Sequence, residues 1–479
     1  MLNQLREFSY LNFVLLFSFT ILFLRIILNI QIDLPLHFDE AQYWDWSQNL
    51  NWGYFSKPPL LAFLIRITTE LCGNGESCIR SLSPFLHFLT SLIIFYAVYL
   101  LTMNFKKSFL GFFLYLFMPG ISFSSFLIST DVPLLFFSSL IALCIIKIFN
   151  SQKRNLLFFF LLGLFFALGF LSKYAIFYIL LSFVFSMVID KKCRYCFLKK
   201  KFLFSIVIAI ILILPNLIWN YNNEFVTLLH TVSNANLVNI KINFFQGIIF
   251  FLSQSFIFGI VPFFYLSKKT LSFLNLNTIQ KVFFITFILP IFMVFLLAVF
   301  SRANANWAVV GYPFACILLP TLLHNKKKFI NNLFLFNQIS FSTMVVISIF
   351  FLPILKLDPF ANIKHIKPLS DIIKNEITNR KNLALMTDDR EDYAQLLYYL
   401  KNIDIKKAKW NGDNKIDDHY ELSTDHNDLK GYDILLITRT KPTQVMEEKA
   451  TSVVKVKSFY FKTNNRKKTF NLYVLKNWQ

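Results

Sequence analysis

Residues 281–300 read KVFFITFILPIFMVFLLAVF, an apolar run with its single charge at the first position. A helix needs about 20 mostly apolar residues to cross roughly 30 Å of bilayer hydrocarbon, so this run predicts a membrane span. Similar runs recur from residue 8 to residue 355. We predict about eleven spans, at 8–30, 81–103, 108–128, 131–149, 155–172, 174–189, 202–219, 244–266, 281–300, 305–323 and 331–355.

The composition agrees with a multi-spanning α-helical membrane protein. The chain has 479 residues, of which 56% are hydrophobic and 16% charged, and Phe alone occurs 60 times. A soluble domain usually carries about a quarter charged residues. The first apolar segment is long and no small-residue cleavage site follows it, so we expect an uncleaved helix rather than a signal peptide.

The distribution of charge predicts how the chain crosses the membrane. Short cytoplasmic loops retain Lys and Arg, and alternate loops are basic. These loops hold Lys106, Lys107, Lys153, Arg154, Lys191, Lys192, Arg194, Lys199, Lys200, Lys201, Lys268, Lys269, Lys326, Lys327 and Lys328. The remaining loops hold Asp33, Asp39, Glu40, Asp45, Glu70, Glu76, Asp131 and Glu224. We therefore expect the N-terminus inside and the acidic loops and the tail outside, in a periplasm or its equivalent.

The formal net charge of +21 has two explanations. Nucleic-acid binding would need a basic soluble face, but many of these charges set the topology. We therefore expect no nucleic-acid partner. Anionic or phosphorylated lipids are the expected partners.

The pattern changes near residue 357, where apolar runs shorten and charges become dense. Residues 433–438 and 469–475 alternate as strands do, whereas 392–400 read as an amphipathic helix. We predict two domains: a membrane domain over 1–356 and an extracytoplasmic α/β domain over 357–479.

The first outward loop, residues 31–80, has the densest collection of reactive groups. Asp39 and Glu40 are adjacent carboxylates, Tyr43 follows one helical turn later, and Lys57 precedes two prolines. Paired carboxylates and a cation beside apolar spans predict a wet, charged site at the membrane edge.

Two short outward turns add a carboxylate and an ammonium group. Asp131 begins a span after Ser129-Thr130 and before Pro133, where a helix-capping role and a site role fit equally well. Lys173 lies in the turn Ser172-Lys173-Tyr174. A snorkelling lysine is the commoner explanation for such a residue, and contact with an anion is the alternative.

Two later outward segments, one around Trp219-Asn220 and one around Asn306-Trp307, combine aromatic rings with amides. Rings stack on sugar faces while amides bond hydroxyl groups, although an interfacial aromatic belt has the same composition. His230 is interpreted first as a polar loop residue, and Arg302 suits a phosphate through its fork of donors. The candidates for substrate contact are Tyr43, Tyr54, Trp219, Asn220, His230, Asn306 and Trp307.

The cysteines leave one pairing open. Cys72 and Cys78 flank a short outward segment, where an oxidising compartment permits a disulfide or leaves two free thiols. Cys193 and Cys196 lie in a basic loop without a second ligand pair, so we expect reduced thiols and no metal there. We expect no cofactor, with a divalent metal left open.

In order along the chain, several motifs resemble those of the bacterial relatives of the protein O-mannosyltransferases, the GT-C clan. The clan includes the aminoarabinose transferase of lipid A and the galacturonosyl transferases of lipopolysaccharide core. The motifs are the run around Asp39-Glu40, Tyr54-Phe55-Ser56-Lys57-Pro58-Pro59-Leu60, Thr130-Asp131-Val132-Pro133, Ser172-Lys173-Tyr174, Trp219-Asn220 and Ala305-Asn306-Trp307.

This resemblance implies a GT-C helical bundle with a small C-terminal α/β domain. It also implies transfer of a sugar from a polyprenyl-phosphate carrier to lipid A, lipopolysaccharide core or protein, at the periplasmic face of a bacterial inner membrane. Asp39, Glu40 and Asp131 are then the catalytic candidates, and Lys57, Arg302 and Lys173 are candidates for the donor phosphate. Some lipid A transferases have glutamate before the lysine where this chain has Ser56, which makes a metal bound through that residue doubtful.

Two other classes fit part of the sequence. A lipid-linked-sugar transporter or flippase would place ionisable groups near mid-membrane, whereas the spans here are almost free of charge. An O-antigen ligase relies on a large late outward loop, but the charged loop of this chain comes early.

Overall fold

The structure is a computed structural model that describes residues 2–150, 155–197, 200–236, 241–323, 328–355, 357–378, 380, 382–413, 415–463 and 466–479. Lys153, Arg154, Lys199, Lys326 and Lys327, which the topology prediction uses, lie outside these residues. The predicted domain boundary also falls on an undescribed residue, Lys356.

Helices make up the part of the chain before residue 356. They are α1 (Leu2–Gln31), α2 (Phe38–Gln48), α3 (Leu60–Cys72), α4 (Glu76–Thr102), α5 (Phe105–Leu116), α6 (Pro119–Ser124), α7 (Asp131–Asn150), α8 (Leu156–Ser172), α9 (Phe177–Ile189), α10 (Lys191–Phe197), α11 (Lys200–Asn222), α12 (Val226–Asn234), α13 (Phe244–Phe258), α14 (Ile260–Lys268), α15 (Thr278–Phe300), α16 (Tyr312–Leu322) and α17 (Lys328–Phe351). Short 3-10 helices lie at Tyr174–Ile176, Lys269–Asn275 and Ala305–Gly311.

Within the described ranges, seven helices are long and apolar enough to cross a membrane, and the bent pair α13–α14 makes up to eight. The chain is therefore a multi-pass, mainly helical membrane protein, as predicted. The other predicted spans coincide with shorter helices: α8, α9 and the broken pair α5–α6. They have 17 residues or fewer, which is at or below the lower limit for a straight span, so the count of eleven stays a prediction.

Gly259 causes the bend between α13 and α14. Its φ is +105°, which a residue with a Cβ rarely adopts. A Cβ here would also lie 2.2 Å from the Gln338 side-chain oxygen. Gln338 donates to the carbonyls of Phe258 and Leu114, at 2.8 and 3.1 Å. One buried amide thus joins α17 to two other helices.

The tail is a small α/β domain, in agreement with the predicted strands and helix. Its sheet has the order β2-β1-β3-β5-β4, in which β1 pairs in parallel with β2 and β3, and β5 is antiparallel to β3 and β4. The elements are α18 (Ala361–Lys364), α19 (Ile366–Thr378), β1 (Leu383–Thr387), α20 (Arg390–Tyr399), β2 (Lys407–Lys409), α21 (His419–Ser423), a 3-10 helix (His426–Leu429), β3 (Asp433–Thr438), α22 (Gln444–Glu448), β4 (Ser452–Thr463) and β5 (Arg466–Lys476).

The tail packs on the loop between α1 and α4. Lys367 bonds the carboxylates of Asp33 and Glu76, at 2.6 and 3.1 Å. Tyr399 donates to Glu76 and accepts from the amide of Leu36. Rings of α20 and the loop also form one buried cluster with apolar residues of α4. This docking encloses space between the tail and the bundle.

A disulfide between Cys72 and Cys78 joins the end of α3 to the start of α4. Between them, the backbone oxygen of Asn74 accepts from Tyr398 and Lys401, each at 2.8 Å. The bridged turn is thus part of the surface that holds the tail, and the question that the sequence left open is settled in favour of the bond.

Candidate active site

The bundle and the tail enclose a cavity of about 730 Å³, which we call the charged cavity. It brings together side chains from the α1–α4 loop, the start of α7, the turn after α8, α12 and the loop before α16. Its predicted residues are Asp39, Glu40, Tyr43, Lys57, Asp131, Lys173, His230, Arg302, Asn306 and Trp307. The convergence expected from separate outward loops is therefore observed.

Asp39 is an accessible carboxylate of the cavity. It lies in the first turn of α2, whose N-terminus is capped by His37. Its side chain is 44% exposed, and its nearest cations are Arg390 at 3.6 Å and the His37 ring nitrogen at 3.8 Å. These separations are too long for close ion pairs, so the oxygens are available to a ligand.

Glu40 does not have the open position that we predicted for a catalytic group. It forms a 2.6 Å ion pair with Arg80, and both side chains are about 98% buried. Its oxygens also accept from the backbone amides of His37 and Ile128, each at 2.9 Å. A carboxylate with this many donors is already satisfied, so Glu40 holds the loop in place.

Asp131 is held by side chains of two other loops. Lys173 donates to one carboxylate oxygen at 2.6 Å and Asn306 to the other at 2.7 Å. The capping interpretation does not describe this arrangement, because side chains occupy both oxygens. The ion pair with Lys173 and the hydrogen bond from Asn306 instead fix three loops relative to one another.

Lys57 is a cation of the cavity without a close anionic partner among the described residues. Among the described residues, no carboxylate lies within ion-pair distance of its ammonium group. Burial and the nearby Lys173 lower the pKa of Lys57 below its usual range. The site therefore contains a desolvated positive charge that an anionic ligand would neutralise.

Two further polar rings face this charge. Burial and the cations Lys57 and Arg390 lower the pKa of His230 to about 4, so its imidazole is neutral at physiological pH. Burial and the carboxylate of Asp39 raise the pKa of Tyr43 well above its usual range. Both are thus uncharged hydrogen-bonding groups.

Two neighbouring grooves lie beyond the charged cavity. A side groove of about 330 Å³ shares Lys57, Lys173, His230 and Trp307 with the cavity. Phe177 lines both this side groove and a neighbouring apolar groove of about 320 Å³ between α8, α9 and α11. A molecule with a polar head and a long apolar chain fits this arrangement.

Three predicted residues lie elsewhere. Tyr54 and Trp219 line a different cavity of about 590 Å³, which we call the aromatic cavity. Asn220 is buried in α11, where its amide bonds the carbonyl of Asn216 at 2.9 Å and the hydroxyl of Tyr174 at 3.3 Å. We predicted all three as substrate contacts of one site, from their aromatic and amide side chains and from the motif resemblance.

The tail contributes residues that the sequence did not indicate. Arg390 lines the charged cavity and donates to Gln42 at 2.5 Å. Its guanidinium lies 5.1 Å from the centre of the Phe38 ring. The tail also contributes Pro359, Phe360, Asp417 and Asp418 to the wall, and α12 contributes Asn234. Among the described residues, no group of three or more His, Cys, Asp or Glu side chains is arranged to hold a metal ion.

Part of the chain matches a known protein family. Residues 56–219 match the profile of the dolichyl-phosphate-mannose-protein mannosyltransferase family. The chain is also 30% identical over 285 residues to the lipid A galacturonosyltransferase RgtD of Rhizobium johnstonii. That alignment covers 57% of this chain and 58% of RgtD. The resemblance seen in the motifs is confirmed.

Two solved structures share the fold over nearly the full length of the chain. ArnT from Cupriavidus metallidurans in the apo state has a TM-score of 0.62 and 11% identity, covering 99% of this chain and 100% of ArnT. The same protein bound to undecaprenyl phosphate has a TM-score of 0.65 and 11% identity, covering 98% and 99%. At this identity the likeness defines the fold.

Proposed function

We propose that this chain is an integral-membrane glycosyltransferase that moves a sugar from a polyprenyl-phosphate donor to an envelope acceptor. The observation that carries the proposal is the order of three neighbouring spaces: the charged cavity shares Lys57 with the side groove, and the side groove shares Phe177 with the apolar groove. Such an order suits a lipid whose charged head must react while its chain stays in the membrane. The similarity to RgtD supports the same class of activity.

The donor phosphate is assigned to Lys57, with Lys173 and Arg302 nearby. Lys57 lacks a close anionic partner among the described residues, and it lines both the charged cavity and the side groove. A phosphate at this junction would place the polyprenyl chain along Phe177 and the attached sugar towards Asp39. Cations here stabilise the negative charge that develops as the lipid phosphate leaves.

Asp39 is assigned to the acceptor side of the reaction. With a hydroxyl acceptor, Asp39 takes the proton while the oxygen attacks the anomeric carbon. The bond from that carbon to the phosphate oxygen breaks, and polyprenyl phosphate leaves. A phosphate acceptor is already ionised, and Asp39 then orients it or stabilises positive charge on the sugar ring.

The other carboxylates are assigned to positioning. Asp131 holds Lys173 and Asn306, whereas Glu40 holds Arg80 and the amide of Ile128. Tyr43, His230 and Trp307 line the space between donor and acceptor and can contact the sugar. Removing a positioning residue would reduce activity through the geometry of its neighbours.

We place the charged cavity on the periplasmic face of a bacterial inner membrane, above a bundle of eleven spans, with residues 357–479 as an extracytoplasmic domain. The alternation of basic and acidic loops supports this side. Among envelope acceptors we favour a lipid A-type glycolipid, which the name of RgtD suggests.

The test is mass spectrometry of envelope lipids and glycoproteins from a deletion strain complemented with wild type or with Asp39→Asn. One glycan signal should disappear on deletion and return with wild type alone. Full return with the Asn variant at equal protein level would remove Asp39 from the reaction, and unchanged glycans in the deletion strain would oppose the activity itself.

A further inference from the structure

The aromatic cavity is a second enclosed space beneath the tail. It lies between the end of α2, the loop before α3, the end of α11 and the domain elements α20 and α21. Its wall includes Asp45, Trp46, Tyr54, Trp219, His419 and Tyr420. A volume of about 590 Å³ lies within the range of roughly 300–1,000 Å³ that is usual for small-molecule sites.

Aromatic rings form the fixed part of its wall. Trp46 and Tyr54 are stacked, with ring centres 4.4 Å apart and planes 3° apart. His419 meets Trp46 edge-on at 5.3 Å. The Trp219 ring crosses directly over Gly53, where an added Cβ would lie 2.2 Å from a ring carbon. This close approach requires glycine and fixes the indole in one place.

Hydrogen-bonding groups alternate with these rings. The amides of Asn49, Asn51 and Asn223 line the wall together with Asp45. The Asp45 carboxylate makes no hydrogen bond or ion pair among the described residues, and burial raises its pKa to about 7. Three more lining residues carry a polar atom without a partner in the described part of the chain: Trp46, His419 and Tyr420.

We propose that the aromatic cavity binds a saccharide unit of the acceptor glycolipid, away from the reacting atoms. This rests on the proposed function. The faces of sugar rings are C–H surfaces that pack on aromatic rings, and their hydroxyl groups bond amides and carboxylates. A phosphate would fit this wall less well, because Lys407 is the one lysine or arginine among the described residues that line it. A lipid chain would also fit less well, because polar groups interrupt the apolar surface of the wall.

The position of α2 explains how such a unit would assist transfer. The helix begins at Asp39 in the charged cavity and ends beside the aromatic cavity, and 11 residues span about 16 Å. A glycan held at the far end of α2 would place another part of the same acceptor near Asp39. Because Tyr393, His419 and Tyr420 come from the tail, the domain takes part in choosing the acceptor.

Binding is tested with the full-length protein in nanodiscs and the deacylated glucosamine disaccharide of lipid A as probe, by saturation-transfer NMR. We expect saturable binding that Trp219→Ala weakens about tenfold, the usual cost of removing an aromatic anchor. Gly53→Ala should do the same by displacing the Trp219 ring. Trp52→Ala is the matched control, since Trp52 lies in the same loop but outside the cavity. No saturable binding to wild type, or equal weakening by Trp52→Ala, overturns the proposal.

Two readouts separate this inference from the proposed function. Binding of the disaccharide is measured without donor and without turnover, so a failed transferase assay leaves the binding result intact. In a working transferase assay with lipid A as acceptor, Trp219→Ala should raise the acceptor KM about tenfold and leave kcat and the donor KM unchanged. A loss of kcat at unchanged KM would assign Trp219 to the reaction centre and overturn the separate site.

Discussion

Asp39 and Glu40 are neighbours in sequence with opposite environments. One is open to the charged cavity, whereas the other is buried with Arg80. The sequence could predict that carboxylates gather in this loop, because composition and the motif resemblance mark it. It could not assign their roles, because burial depends on Arg80 and Ile128, which lie 40 and 88 residues further along the chain.

Replacement of Asp39 by Asn should abolish a proton-accepting group while leaving the fold intact. We expect transferase activity to fall by about 10²–10⁴-fold, with no change in thermal unfolding, because the side chain lacks close ion pairs. Initial rates with purified protein measure this. Asp33→Asn is the control, since its carboxylate is 84% exposed. Equal loss of activity in the control would point to docking of the tail rather than to chemistry.

Lys57 should set the alkaline limit of donor binding. The pKa of Lys57 is lowered. Its side chain is positively charged below that pKa and loses the charge as pH rises through it. This loss therefore occurs at a lower pH than for an ordinary lysine. The donor KM should therefore rise on the alkaline side. Lys57→Arg should move this rise to higher pH, because guanidinium stays protonated. The measurement is the donor KM from neutral to alkaline pH, and an identical profile in Lys57→Arg and wild type would assign the titration to another group.

At the scale of elements, the Glu40–Arg80 pair joins α2 to α4. Breaking a buried ion pair costs about 3–5 kcal/mol, so Glu40→Gln should lower both the free energy of unfolding and the activity. Glu70→Gln, which removes an exposed pair with Arg66, should change stability by less than about 1 kcal/mol. Denaturant unfolding in detergent measures both variants. A Glu40→Gln protein of normal stability without activity would return Glu40 to the reaction.

Periodicity could predict the elements themselves, and it placed the apolar helices and the strands of the tail well. It could not predict where a span is too short or bends, because these depend on local geometry such as the positive φ of Gly259. We predicted that Tyr54 and Trp219 share one site with Asp39, but they line a different cavity. Membership of a motif and an aromatic side chain do not specify which cavity a ring lines.

At the scale of the whole molecule, the charged cavity depends on the docked tail. Lys367 on α19 bonds Asp33 and Glu76, which raise its pKa. Lys367→Glu should place like charges together, increase protease cleavage of the tail and reduce activity. Limited proteolysis in nanodiscs measures the first effect. Lys374→Glu on the same helix is the control, because Lys374 pairs within the domain, with Asp371. Equal protection of both variants would mean that other contacts suffice for docking.

Arg390 and Asp418 are the residues of the charged cavity that sequence reasoning had least chance of finding. Each lies more than 300 residues after Asp39, and no local pattern separates either from other charges of the tail. Only the packing of α20 and α21 on the first outward loop brings them to the cavity.

The first outward loop and the C-terminal domain both contribute walls to the two cavities, and this limits how new specificities can be built. A chimera could take only its C-terminal domain from a relative. The residues of that domain that correspond to Tyr399, Lys367 and Arg390 would then contact a first outward loop to which they are not matched. In protein engineering, residues 31–80 should therefore be exchanged together with residues 357–479, as one unit.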